Sequence, residues 1–273
     1  MADTVQREAV DSGKEDRAEA PEVIRCRGLE KRFGEHLALA GLDLTVRQGQ
    51  FYGLLGPNGA GKSTTVSLLT GTRVPTGGEI RLFGRKLDPD DPATKGQMGV
   101  VTEEPPLFDR LRGREMLVFV ARMQGLSRKE AAQRSEDLIS LLGLEEAGGK
   151  LVADYSRGMR KKLAIGCALI HGPRLLFLDE PFEGVDALSA ETIRGVLCHL
   201  TSRGTTVLLT THILTLAERL CDAYGILSRG RLAWEGSPST LVEEGVDLTS
   251  RFVEVVGAER EASGLPAWLD GDR

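Results

Sequence analysis

The residues Gly56-Pro57-Asn58-Gly59-Ala60-Gly61-Lys62-Ser63, with Thr64 following, satisfy the spacing G-x-x-x-x-G-K-[ST]. A nucleoside triphosphate packs several negative charges closely together. Holding it needs many donors converging on one point with no side chain in the way. Glycines let the backbone wrap so that successive N–H groups point inward as an anion nest. A helix starting near Lys62 adds the positive end of its dipole. Lys62 then reaches the β- and γ-phosphates, and the Ser63 hydroxyl ligates Mg2+. The same letters in a plain glycine turn would leave Lys62 solvated. A strand over 51–55 and a helix after the loop are the context that separates the two readings.

A second constellation lies downstream. Leu175-Leu176-Phe177-Leu178-Asp179-Glu180 ends an apolar run in two adjacent acids. Burying a strand end with two carboxylates is costly unless a cation sits there. Asp179 is therefore assigned to Mg2+, directly or through water, and Glu180 to the proton of an attacking water. Thr211-His212 closes the next apolar run. At a strand end, in a sheet whose other strand ends bind phosphate, His212 is placed for γ-phosphate contact. An ordinary strand-to-turn exit and a plain polar histidine are the competing readings, and the upstream phosphate loop weighs against both.

These residues need a sheet to position them. Short β-like runs (VIRCRGLEKRF, LDLTV) begin the ordered sequence near residue 23, and strands are expected over 50–55 and 79–83. From about 110 to 172 the apolar spacing turns helical, in REMLVFVARMQGL, EAAQRSEDLISLLGL and MRKKLAIGCALI. Wholly apolar runs over 175–178 and 206–209 have the look of buried parallel strands. The span 224–235 reads as a hairpin turning at Ser228-Arg229-Gly230, and DLTSRFVEVVGAERE as a short closing helix with a frayed end. Alternating strands and helices imply an α/β fold, with a mostly parallel core sheet, an antiparallel edge and an inserted helical lobe.

Composition narrows the class. Hydrophobic residues at 41% and charged residues at 27% fit a globular chain, neither disordered nor membrane-embedded. The net charge of -5 supplies no overall pull toward nucleic acid, and none is expected as a partner. No stretch approaches the roughly 18 apolar residues that span a bilayer. The polar N-terminus is no signal peptide, and residues 1–21 read as a disordered leader. Cys26, Cys167, Cys198 and Cys221 form no CxxC pair and read as buried, reduced thiols.

Phosphate loops and acidic strands occur in many P-loop NTPases. Tyr155-Ser156-Arg157-Gly158-Met159-Arg160-Lys161-Lys162-Leu163 resembles the signature motif of ABC ATPases, usually written LSGGQ, and lies shortly before the acidic strand as in that family. The resemblance covers nearly all of residues 23–240. It implies a P-loop ABC ATPase domain over 22–240, with an antiparallel β subdomain, a helical subdomain at about 110–172, and a short C-terminal helix and tail over 241–273. It implies ATP and Mg2+ as cofactors. Phe33 matches the aromatic that stacks on adenine, 56–64 Walker A, 175–179 Walker B, Glu180 the catalytic glutamate, Glu183-Gly184-Val185-Asp186 the D-loop and His212 the switch histidine. Ser156 and Gly158 match the residues that bind the γ-phosphate of ATP held by a second ATPase subunit. Ser156 would then start a helix over about 159–170 whose free N–H groups face that phosphate.

Two positions depart from the family pattern. Glu103 stands where a glutamine usually touches Mg2+; a carboxylate can ligate the metal but donates no hydrogen bond while ionised. Arg157 stands where glycine is common, either adding a cation near the nucleotide or pointing to solvent. The Met159 ending and the basic run after it resemble subunits of ABC-2 type exporters, including drug and antibiotic efflux systems. That resemblance implies a cytoplasmic chain held on the inner face of the membrane by a transmembrane permease, docked through 100–125, with Leu107, Phe108 and Leu111 as candidates. An ordinary lobe core is the equal alternative for those three. A soluble ABC ATPase that regulates or scaffolds a non-membrane machine is the second functional reading.

Overall fold

The computed structural model describes residues 20–257. The expected leader up to residue 19 and the frayed end after Gly257 lie outside the described residues. Ala20 and Pro21 are already tied down: their carbonyls accept from the Arg47 side chain and the Gln48 N–H.

Strands β1 (Glu22–Phe33), β2 (His36–Arg47), β4 (Gly77–Leu82) and β5 (Arg85–Lys86) form an antiparallel sheet of order β2-β1-β4-β5. A second sheet of order β10-β9-β3-β8-β7-β6 joins β3 (Phe51–Leu55), β6 (Met98–Val101), β7 (Leu175–Asp179), β8 (Thr206–Thr211), β9 (Ala223–Ser228) and β10 (Arg231–Gly236). All its pairings are parallel except the β9–β10 hairpin. β3, β7 and β8 are buried along their whole length, as strands covered on both faces must be.

Alternation along these strands feeds two cores. Phe51, Leu176, Leu178, Val207 and Leu209 enter one; Tyr52, Leu54, Leu175, Phe177 and Leu208 enter the other. The antiparallel sheet and helix α1 (Lys62–Leu69) cover the second core. The first is covered by α3 (Gly113–Met123), α4 (Arg128–Leu141), α5 (Arg157–Leu169), α6 (Ala187–Ser202) and α7 (Leu214–Leu220). Short α2 (Pro92–Lys95) precedes β6, and α8 (Pro238–Glu244) and α9 (Leu248–Gly257) close the described chain. The α/β class, the mostly parallel sheet and the antiparallel β unit expected from the sequence are all present.

Several elements differ from the sequence-based expectation. The helix placed over 159–170 starts at Arg157, because the Ser156 hydroxyl accepts the Met159 N–H as N-cap. β2 reaches back to His36, because Gly41 absorbs a φ of +87° and lets pairing with β1 run on. Cys167 and Cys198 are half-buried, unlike Cys26 and Cys221, although burial still pushes the Cys26 and Cys167 thiols up to about 12.

β6 lies outside the strands expected from the sequence, and it carries Glu103 just beyond its end. A Cβ on Gly99 would lie 2.3 Å from the Ala168 carbonyl oxygen and 2.8 Å from Leu176 Cδ1. Only glycine lets α5 come this close to the strand. Gly99→Ala is expected to cost roughly 2–3 kcal/mol through overpacking, read as a lower urea midpoint at unchanged slope.

Candidate active site

Parallel strands deliver their C-terminal ends to one edge of the sheet. Leu55 pairs with Thr211, and Asp179 with Thr210. The loops after β3, β7 and β8 therefore open side by side, where an α/β sheet binds ligands. Between β3 and α1, Gly61 has φ +110°, and a Cβ there would come within 2.8 Å of the Ala38 carbonyl oxygen. As N-cap it offers no side chain to the first-turn N–H groups, which are left to act as outward donors.

The loops surround a cavity of about 410 Å³ lined by Phe33, His36, Ala38, Asn58, Gly59, Gly61, Lys62, Ser63, Thr64, Glu103, Glu180, Glu183 and His212. Gly56, Pro57 and Ala60 stand behind this wall. The Gly56 and Pro57 carbonyls accept from Lys62 Nζ at 2.8 and 3.3 Å, and Ala60 is buried, its carbonyl accepting the Gly230 N–H.

Lys62 is only 7% exposed, and its Nζ lies 3.8 Å from Glu180 Oε1. Burial lowers the Lys62 pKa, while Glu180, Asp179 and Glu103 act to raise it. Asp179 is 5% exposed and accepts the Thr210 hydroxyl. Glu180 adopts φ +45°, unusual for a non-glycine residue and held here by its surroundings. Its N–H donates to the Thr210 carbonyl at 3.2 Å, and its Oε1 is 3.0 Å from His212 Nδ1. Ser63 and Glu103 line the cavity, whereas Asp179 does not and stands buried at the end of β7; all three carry hard oxygen donors. Among the described residues no cluster of three or more His, Cys, Asp or Glu forms a closed metal cage. That donor set fits Mg2+, which binds through one or two carboxylates together with substrate phosphates.

Phe33 is 38% exposed at the end of β1, with the Lys31 ammonium and the Arg73 guanidinium 5.2 and 5.0 Å from its ring centroid. Ser156 and Gly158 are not brought to this cavity. They begin α5 beside the 183–186 loop, where a Cβ on Gly158 would meet Asp186 Oδ2 at 3.4 Å. Arg157 lies across Gly184 in that loop and lines a second groove with Glu103, Arg160, Lys161 and Glu183. Of the candidate docking residues, Phe108 is 54% exposed and stacks edge-on with Phe119 at 5.3 Å, whereas Leu107 and Leu111 pack on the core.

His36, Glu183 and Lys161 are among the polar cavity or groove residues that carry no site role in the sequence reading. His36 lies three positions after Phe33 in the same hairpin, a spacing that could have flagged it. Glu183 was read only as part of a loop motif. Lys161 was hidden inside a run of basic residues.

A phosphate-cradling loop, a buried Asp-Glu pair and a histidine at adjacent strand ends define a P-loop nucleoside triphosphatase. The family model described as "ABC transporter" matches residues 39–183. The "Nod factor export ATP-binding protein I" of Cupriavidus metallidurans is 38% identical over 88% of this chain and 78% of its own. The "Daunorubicin resistance ATP-binding protein DrrA3" of Streptomyces coeruleorubidus is 37% identical over 88% of this chain and 77% of its own. A solved structure described as the ATP-binding subunit of an ABC transporter is 31% identical, with a TM-score of 0.79 over 85% of this chain and 99% of that one. The chain belongs to the ABC transporter family, as an ATP-binding and ATP-hydrolysing subunit that powers a membrane permease.

Proposed function

We propose that this subunit drives export of a drug-like or hydrophobic compound through a separate transmembrane permease, as one of two ATPase subunits that close around ATP. The relatives named for drug resistance and Nod factor export support the exporter reading. Among the described residues no helix is long and apolar enough to cross a membrane, so the spanning path is assigned to the partner. The chain would then lie peripherally on the cytoplasmic face.

One observation carries the proposed mechanism: Lys62, Glu180 and His212 converge on a single cavity wall. The first turn of α1 and Lys62 bind the phosphates, and Phe33 offers a ring to the adenine. Ser63, Asp179 and Glu103 would hold Mg2+, which would supply charge neutralisation on the phosphates. Glu180 takes the proton as water attacks the terminal phosphorus and the bond to the bridging oxygen breaks. His212 orients the Glu180 carboxylate and reaches the γ-phosphate. Ser156 and Gly158, outside the lining of their own cavity, are left to meet the nucleotide of the second subunit.

Affinity purification of the chain from detergent-solubilised membranes tests the export reading. A polytopic membrane protein is expected to co-purify. Recovery solely in the soluble fraction, with no such partner, would favour a regulator or scaffold of a soluble machine.

A further inference from the structure

The Arg160-Lys161-Lys162 run looks like a solvated basic face, yet Lys161 is 3% exposed. Its ammonium turns inward from α5 and donates to two backbone carbonyls, that of Glu103 at 2.5 Å and that of Glu180 at 3.1 Å. One side chain on the helical lobe thus ties together the end of β6 and the end of β7.

The second tie matters because of what Glu180 is doing. Its backbone sits at φ +45°, a conformation a glutamate keeps only when neighbours hold it. The Thr210 carbonyl holds its N–H, while Lys161 Nζ and the Glu183 N–H, the latter at 3.3 Å, hold its carbonyl. That fixed backbone aims the carboxylate at His212 and Lys62. A charged donor is a stronger clamp on a carbonyl than an amide N–H. The phosphate loop, by contrast, lies between β3 and α1, and its lysine is anchored on Gly56 and Pro57.

We propose that Lys161 is a positioning residue: it clamps the Glu180 backbone so that the carboxylate faces the reacting water, and it makes that clamp depend on where α5 and the Glu103 segment lie. The idea rests on Glu180 being the proton acceptor. It separates two properties of the site, because the nucleotide is gripped by one loop and the carboxylate is aimed by another.

The test uses the full-length chain, with ATP affinity from calorimetry and turnover from phosphate release. Lys161→Met keeps the side-chain stem and removes the N–H donors. Its kcat is expected to fall about tenfold or more while the Kd for ATP stays within about threefold. Lys161→Gln keeps amide donors at slightly shorter reach and is expected to recover part of that rate. Turnover equal to wild type in Lys161→Met, or ATP affinity falling in step with turnover, overturns the proposal. Should Lys161→Met fail to fold, Lys161→Leu, which also lacks the N–H donors, carries the test on the same two readouts, judged in the same way. Glu180→Gln is measured alongside. If it still turns over ATP, the catalytic assignment and the clamp fall together; if it does not, a normal Lys161→Met removes the clamp alone.

Discussion

Glu180→Gln is expected to bind ATP about as well as wild type and to lose roughly 100- to 10,000-fold in turnover, the range lost when a positioned general base is removed. The substitution changes little else. Glutamine has the same shape, so the φ of +45° and the backbone bonds to Thr210, Lys161 and Glu183 can persist. Its amide can still meet His212, now 3.0 Å from the carboxylate, through either ring tautomer. What disappears is the proton acceptor and one negative charge near the phosphates, and the second loss should not weaken ATP binding. Nucleotide should therefore persist between two copies of the chain. Size-exclusion chromatography with Mg-ATP checks this beside single-turnover phosphate release. A variant that stays monomeric with ATP bound, or hydrolyses it normally, would remove Glu180 from the mechanism.

The parts legible in the sequence are those where local chemistry and tertiary demand coincide. A run such as 175–178, short and wholly apolar, fits a strand buried on both faces, and parallel pairing then fixes which end the acids occupy. The glycines of the phosphate loop likewise announce a backbone that side chains would obstruct, as Gly61 against Ala38 shows. Other elements depend on packing that no short window records. β6 has four residues and a glycine in its middle, and it exists because α5 lies against Gly99. α8 did leave a local trace, since Ser237 caps Thr240 just ahead of Pro238, a serine-proline start that could have been read. α7 begins at Leu214 with no side-chain cap and left none. Lys161 is the sharpest case. Adjacent basic residues on a helix point in different directions, and only the fold decides that the middle one enters the protein. The same holds for Leu107 and Leu111, which an exposed-patch reading groups with Phe108 but which are half-buried and pack on the core.

The second large effect is expected from Lys62→Met. Lys62 holds its charge in a demanding place: burial acts against the ammonium, and Glu180, Asp179 and Glu103 act to keep it. Methionine retains most of the apolar stem and discards the charge together with its three donors. The loss of a buried, hydrogen-bonded charge contact to the phosphates corresponds to about 2–4 kcal/mol, or roughly 30- to 900-fold in ATP affinity. The nucleotide-free chain should also melt earlier, because Glu180 loses the cation 3.8 Å from its Oε1 while remaining buried. These two effects distinguish Lys62 from Glu180, whose replacement spares binding. Lys62→Arg should not restore affinity, since a planar guanidinium cannot reproduce a compact ammonium held between the Gly56 and Pro57 carbonyls. Calorimetry with ATP on both variants decides the matter. Wild-type affinity in Lys62→Met would mean that the backbone amides of the loop and the helix dipole grip the triphosphate by themselves. The lysine would then serve the buried carboxylates rather than the nucleotide.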